Sequence, residues 1–346
     1  MADTRKLAYP EPDSFLGEAL QENEAQLAEQ LADAIERGVR AQYQKGNARR
    51  DVHAKATGCV RAVFRVNDTI PASLAKGVFV PGKSYQAWVR FSNGSADPSQ
   101  SDNSEDGRGM AIKLLDVPGE KLLDNQQDAR TQDFILINHP VFFINDPHRY
   151  IALVEKAGGS LLEKLTIPFA VGLKTIQLFK EGNAGKIANP LQVRYFSATA
   201  YQLGVGDDRQ AVKYSVMPAL DTVDSMPSNP EHDYLSEALQ ATLLKSAVTL
   251  KFMVQPRTSM KLSVEDAMVE WPERAAPFHE IGTIYIPMQA VDTAERKQIG
   301  ENLSFNAWHA LPEHRPLGAA NRLRKIVYDR ISRVRHEMNG VERSEP

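Results

Sequence analysis

One cysteine, Cys59, stands alone in 346 residues, so no disulfide can form within the chain and no thiolate cluster can hold zinc. That usage fits a reducing compartment. A run of about 18 apolar residues is also missing, so no helix is expected to span a bilayer. Acidic and basic residues nearly balance, 44 against 41, and the formal net charge is -3. The chain as a whole therefore carries no strong field toward nucleic acid or an anionic membrane. The opening "MADTRKLAYPEPDSFLGEAL" places Asp3, Glu11 and Asp13 where a secretory leader would be apolar, so the cytoplasm is the expected location. G-x-S-x-G and phosphate-loop motifs are absent, and "GVGDDRQ" is followed by no helical pattern, which excludes it as a dinucleotide fingerprint.

What is present is a globular composition, 42% hydrophobic and 25% charged, with length enough for a large core. From Pro12 to Gln44, Leu16, Ala19, Leu20, Leu27, Leu31, Ile35 and Val39 recur at helical spacing. This predicts an amphipathic arm over residues 1–48, which either packs on another subunit or covers its own domain. Residues 49–346 read as a second unit. In it "CVRAVFRV", "GVFVPG", "YQAWVRFS" and "GMAIKLL" are short, β-branched or aromatic segments between turn residues, and they predict antiparallel strands. "DFILINHPVFFI" reads as an apolar strand interrupted by Pro140.

"SLLEKLTIPFAVGLKTIQLFK" predicts covering helices broken at Pro168 and Gly172, with a membrane-surface or lipid-channel role as the alternative. Further strands are expected in "LQVRYFSATAYQLG", "AVKYSVMPAL", "SAVTLKFMVQP" and "IGTIYIPMQ". Ser263 is placed to cap a helix through "LSVEDAM". The tail "NRLRKIVYDRISRVRHEM" predicts a basic helix. The fold class is α+β, with an antiparallel, nearly closed β-barrel covered by helices.

Two places invite chemistry. His53, in "RRDVHAKATG", is either an ordinary buried histidine or a placed acid–base group. On the tail helix Arg324 precedes Tyr328 by four residues and Arg335 follows it by seven, so the three share a face. That face is either a solvated basic stripe or a setting that favours a phenolate, a hard ligand for ferric iron.

In order along the chain, "RDVHAKATG", "VRFSNGSAD", "GRGMAIKLL", "HPVFFINDP", "LSVEDA" and the final R-x3-Y-x6-R resemble the heme catalases. The resemblance runs from about Arg50 to Arg335. "FNAWHALPEHRPLGAANR" is unlike the large catalases and is similar to the small bacterial catalase-related branch. The resemblance implies a barrel of catalase type that binds heme b with ferric iron. His53 then looks like the distal acid–base group, Ser92 its hydrogen-bond partner and Tyr328 the proximal iron ligand. Arg324 looks like the partner that keeps Tyr328 ionised. Arg50, Arg90 and Arg335 look like the arginines that hold the propionates. Val52 and Phe142 would line the distal side, and Tyr150 stands where the family has a phenylalanine.

One departure is Ile137, where large catalases carry an asparagine; Asn138 and His139 are the neighbouring polar candidates. The departure favours organic or lipid hydroperoxides over hydrogen peroxide. The implied activity is a catalase or peroxidase, with an organic or lipid molecule as a candidate reductant and a homodimer as the candidate assembly. A fatty-acid hydroperoxide isomerase or dehydratase and a non-catalytic heme-binding protein are the alternatives. The chain ends soon after Tyr328, so no bound NADPH is expected. His148, His309 and His314 read as loop or helix-cap residues.

Overall fold

The two-residue alternation of "CVRAVFRV" folds as β1 (Ala56–Val66), with Val60, Ala62, Phe64 and Val66 buried on one face and Arg61 and Arg65 exposed on the other. A computed structural model describes residues 7–219 and 224–346. β1 is followed by β2 (Ser84–Asn93), β3 (Arg108–Leu114), β4 (Gln132–Ile137), β5 (Tyr195–Phe196), β6 (Tyr201–Leu203), β7 (Gln210–Pro218), β8 (Val248–Pro256) and β9 (His279–Ile286). The pairings are antiparallel and run in the order β5-β4-β3-β2-β1-β9-β8-β7-β6. β5 and β6 lie one after the other along the same edge of β7, so the sheet closes into a barrel with eight strand positions. Closure removes the unpaired edges that an open sheet would present.

The barrel interior is filled by aromatic rings. Phe64, Phe79, Phe134, Tyr214 and Phe252 meet at centroid distances of 5.1 to 6.4 Å. His314 is fully buried among them. The Val78 amide donates to its Nε2 at 3.0 Å, which leaves Nδ1 to donate to the Tyr214 hydroxyl at 3.1 Å. Burial pushes its pKa down to about 3, so it is a neutral core residue. His309 is also fully buried, 3.0 Å from Asp133. His309 does lie in a loop and His314 at the end of a short 3-10 helix, but both are buried and distant residues satisfy both rings. His148 is exposed on a helix.

The helices are α1 (Glu24–Gln42), α2 (Pro147–Ala157), α3 (Leu161–Leu165), α4 (Ile167–Val171), α5 (Leu173–Asn183), α6 (Tyr234–Lys245), α7 (Ala294–Asn302) and α8 (Ala319–Asn339). α1 packs along α8 of its own chain, and Arg330 of α8 pairs with Glu29, Asp33 and Glu36 at 2.8 to 3.2 Å. The start of α8 is fixed by charge. Glu18 accepts from the Gly318 amide at 2.7 Å and Glu265 from the Ala319 amide at 2.9 Å. Fully buried Arg322 bonds Glu18, Glu24 and Glu265. That network sets the rotation of the helix that carries Tyr328.

Three local expectations are corrected. The arm is not one helix: a short 3-10 turn at Ser14–Leu16 ends at Gly17, with φ +83°, and α1 starts only at Glu24. "GVFVPG" forms turns rather than a strand. Gly77 there has φ +58°, and a Cβ on it would sit 2.3 Å from His314 Nε2. Ser263 does accept from Glu265 and Asp266 amides at 3.1 and 2.9 Å, but only turns follow. Glu265 caps α8 instead.

Candidate active site

β2, β3 and β4 turn one face into the aromatic core and the other toward α8. Cross-strand partners share a face. The row Ser92–Gly109–Ile137 and the row Arg90–Ala111–Ile135 therefore both lie on the outer side. Between this surface and α8 lies an open cleft. Arg50, Asp51, Val52, His53, Arg90 and Ser92 line one part of it. Ile135, Ser304, Phe305, Tyr328, Ile331, Ser332 and Arg335 line the remainder.

His53 stands at the end of the loop before β1 with φ +55°, a left-handed conformation uncommon outside glycine. Its amide donates to Gly94 O at 3.1 Å and its carbonyl accepts from Arg90 Nη2 at 2.9 Å, and these bonds hold the conformation. The Ser92 hydroxyl lies 3.1 Å from His53 Nδ1. Gly109 provides the space for the ring: a Cβ there would fall 2.5 Å from Nδ1. Burial, and then the positive charge of Arg90, push the His53 pKa down to about 4, so the imidazole is neutral near pH 7.

One end of the cleft is strongly cationic. Arg50, Arg90 and Arg335 converge on the end of α7. Arg50 Nη2 donates to the carbonyls of Gly300 and Leu303 at 3.0 and 2.7 Å, and Arg335 bonds those of Glu301 and Leu303. The nearby carboxylate is Glu301, 3.0 Å from Arg49 and 3.6 Å from Arg50. Burial opposes its ionisation, yet Arg50, Arg90 and Arg49 hold it below the usual carboxylate range. Burial and then Arg50 push Arg90 down to about 9, and the same two causes lower Arg335 well below the usual guanidinium range. Arg90 Nε is buried with no hydrogen-bond partner, and Arg50 Nη1 makes only the 3.6 Å ion pair with Glu301. A cleft end where three crowded guanidinium groups face one carboxylate suits a further anion.

Tyr328 projects from α8 into the cleft, with Ile331, Ser332 and Arg335 on the same helix face. Arg324, one turn earlier, is buried; its Nη1 donates to Thr199 Oγ1 at 3.3 Å and Asn321 Oδ1 at 3.2 Å, and its guanidinium lies 4.7 Å from the Phe142 ring. Among the described residues, no hydrogen bond joins Arg324 to the Tyr328 hydroxyl. Phe142 and Tyr150 are 6.3 Å apart. With Arg324 they form a cluster next to the cleft, outside its immediate lining. Burial, then Tyr328 and Asp51, push the Tyr150 hydroxyl upward.

Asn138 Oδ1 accepts from the Arg108 amide at 2.7 Å, and His139 Nδ1 lies 3.1 Å from Val141 O. Both side chains are thus tied to nearby backbone, and neither lines the cleft.

Sequence reasoning missed Asp51, Glu301, Ile135 and Phe305. Ile135 was accessible through its two-residue offset from Ile137, and Ile331 and Ser332 through their spacing from Tyr328. Burial pushes the Asp51 carboxyl up to about 6. No pattern in the sequence marked Asp51 or Glu301.

The catalase family model matches residues 21–158. A catalase-related peroxidase of Mycolicibacterium paratuberculosis is 26% identical over 308 residues, 85% of this chain and 90% of that protein. A peroxisomal catalase of Candida tropicalis is 33% identical over 102 residues, 29% of this chain and 19% of that protein. Among solved structures, a fungal catalase superposes with a TM-score of 0.63 at 18% identity, over 96% of this chain and 66% of its own. Catalase A from Saccharomyces cerevisiae gives 0.61 at 19%, over 97% and 68%. The chain thus spans about two thirds of the solved catalases and a fifth of the Candida catalase. The chain shares the fold of these catalases and is similar in sequence to a catalase-related peroxidase over most of its length.

The similarity to catalases points to a heme group, and the cleft would fit one. The buried guanidinium groups of Arg50 and Arg90 would suit propionate carboxylates, the Ile135, Ile331 and Phe305 side chains would suit an apolar macrocycle, and Tyr328 would be placed to offer an oxygen ligand. No helix among the described residues is long and apolar enough to cross a membrane.

Proposed function

We propose that the protein is a heme b hydroperoxidase that cleaves the O–O bond of organic hydroperoxides, and of hydrogen peroxide less well. The observation that carries this reading is the convergence on one cleft of a neutral histidine, a tyrosine and three arginines drawn from three separate stretches of chain. Arg50, Arg90 and Arg335 would hold the propionates and Tyr328 the ferric iron. Bound there, heme supplies the redox chemistry of peroxide cleavage.

The chain's own part is proton handling and positioning. With Nδ1–H donated to Ser92 Oγ, His53 keeps its lone pair on Nε2. Nε2 takes the proton from the hydroperoxide and returns it to the oxygen that leaves. A pKa near 4 keeps that base neutral over the physiological range.

Ile135 lines the cleft, and Ile137 lies beyond its lining on the same outer face of β4; neither offers an amide to orient a molecule as small as hydrogen peroxide. An apolar wall instead accommodates an alkyl chain. It equally supports the second reading, isomerisation or dehydration of a fatty-acid hydroperoxide without an external reductant. The test is to supply the heme-loaded protein with hydrogen peroxide, cumene hydroperoxide and linoleate hydroperoxide, with and without an organic electron donor. Faster turnover of the organic substrates supports the proposal. Product from linoleate hydroperoxide without a donor selects the second reading. Inertness toward all three contradicts both.

A further inference from the structure

The stretch from α3 to α5 carries large apolar side chains on the outside of the molecule. Phe169 is 91% exposed, Leu173 83%, Leu162 76% and Leu165 64%. α3 and α4 are separated only by Thr166, itself in a right-handed helical conformation, so they form a nearly continuous helical run. Leu162, Leu165 and Phe169 follow at spacings of three and four and share one face of it. The inward side is filled separately: Val171 is fully buried, and Arg149 of α2 donates to its carbonyl at 3.3 Å. The outward apolar face is therefore surplus to packing. A contiguous apolar patch of this kind marks an interaction surface.

Its charge indicates which surface it meets. Lys156 to Lys186 holds five lysines against two glutamates, in a chain whose net charge is -3. Both glutamates are committed locally: Glu163 accepts from Ser160 in a capping box, and Glu181 accepts from Gln177 at 2.8 Å. Lys164 and Lys180 are exposed at the edge of the apolar side chains. Apolar tips projecting between lysines complement an anionic bilayer surface, where the tips enter the acyl boundary and the ammonium groups stay at the headgroups.

We infer that α3–α5 is a peripheral docking surface for anionic lipid bilayers. A connection to the cleft exists: Phe179 of α5 stacks edge-on against Phe143 at 5.5 Å, and Phe143 lies 4.7 Å from Phe142 and 6.2 Å from Tyr150. Docking here sets the cleft beside a bilayer, a source of lipid hydroperoxides; this consequence alone rests on the proposed function.

The test is co-sedimentation of the full chain with vesicles of equimolar phosphatidylcholine and phosphatidylglycerol, beside vesicles of phosphatidylcholine alone. The wild type should bind the anionic vesicles at least tenfold more tightly, and high salt should weaken that binding. Phe169→Asp with Leu173→Asp should abolish binding, and Lys164→Glu with Lys180→Glu should remove the preference for anionic lipid. Both variants should keep the wild-type melting temperature and turnover of soluble cumene hydroperoxide, which separates failed docking from failed folding or a failed peroxidase reading. Equal, weak binding to both vesicle types would overturn the inference. So would a wild-type dimer in sedimentation equilibrium that Phe169→Asp dissociates, because the patch would then be covered by a second copy.

Discussion

Arg90 donates from Nη2 to the backbone carbonyl of His53 at 2.9 Å, while its buried Nε has no partner. One guanidinium thus faces two ways, toward the loop that presents the candidate base and toward the site proposed for a propionate. Arg90→Leu removes both functions. Heme affinity should fall at least tenfold in a Soret titration, and turnover at saturating heme should also fall because His53 loses an anchor. Lys at this position should restore charge but not the two-directional geometry, and so recover only part of the affinity.

Gly109 and His53 are coupled by space alone. A methyl group at 109 would lie 2.5 Å from Nδ1 and 2.8 Å from Ser92 Oγ, so Gly109→Ala must displace the ring. Displacement of about 1 Å is enough to lower turnover roughly 100-fold. The overpacking should cost about 1–3 kcal/mol of stability. Steady-state kinetics, read beside an unchanged heme titration, separate this variant from Arg90→Leu.

The pH profile has a definite sign. His53 with a pKa near 4 is neutral at and above pH 6, so activity should stay level there and fall only as the pH drops through about 4. A free imidazole would lose activity from about pH 6.5. The same shift bears on stability: between pH 6.5 and 4 the unfolded chain binds this proton and the folded chain does not. His53 therefore contributes to stability falling as the solution is acidified through that window. Stopped-flow rates between pH 3.5 and 8 measure the first effect, and His53→Ala should remove the acid limb.

Ile137 faces the same side as Ser92 and Gly109. Ile137→Asn returns an amide to that row. Hydrogen peroxide dismutation, followed as oxygen release, should rise about tenfold or more, while turnover of cumene hydroperoxide falls or holds.

Away from the cleft mouth, Lys113, Asp133 and His309 are fully buried, and Glu345 of the C-terminal tail closes the group at 2.5 Å from Lys113. Lys113→Met leaves two carboxylates without their cation. The loss should be about 3–5 kcal/mol in urea denaturation. Glu345→Gln, which keeps a polar partner, should lose less.

The physical reach of sequence patterns explains which of these features were legible in advance. Alternation in β1 and β2 and helical spacing in α8 are local rules, so they marked the strands and set Tyr328 on one face with Arg335, whereas Arg90 and Ser92 were marked only by the resemblance. His309 and His314 depend on partners far away in the chain, Asp133 and Tyr214, so their loop and helix-end positions were legible but their burial was not. Ser263 shows a local rule overridden: its hydroxyl binds the amides a helix would need, but Glu265 is drawn to Arg322 and α8, and no helix grows. Asp51 and Glu301 lie in the cleft region through tertiary placement alone.

The most direct measurement is the absorption spectrum of the heme-loaded protein, wild type beside Tyr328→Phe. The proposal predicts a ferric, tyrosinate-ligated spectrum in the wild type that is lost in the variant, with peroxide turnover lost alongside it. Heme uptake with the same spectrum in both proteins, or no stoichiometric uptake by the wild type, would contradict it.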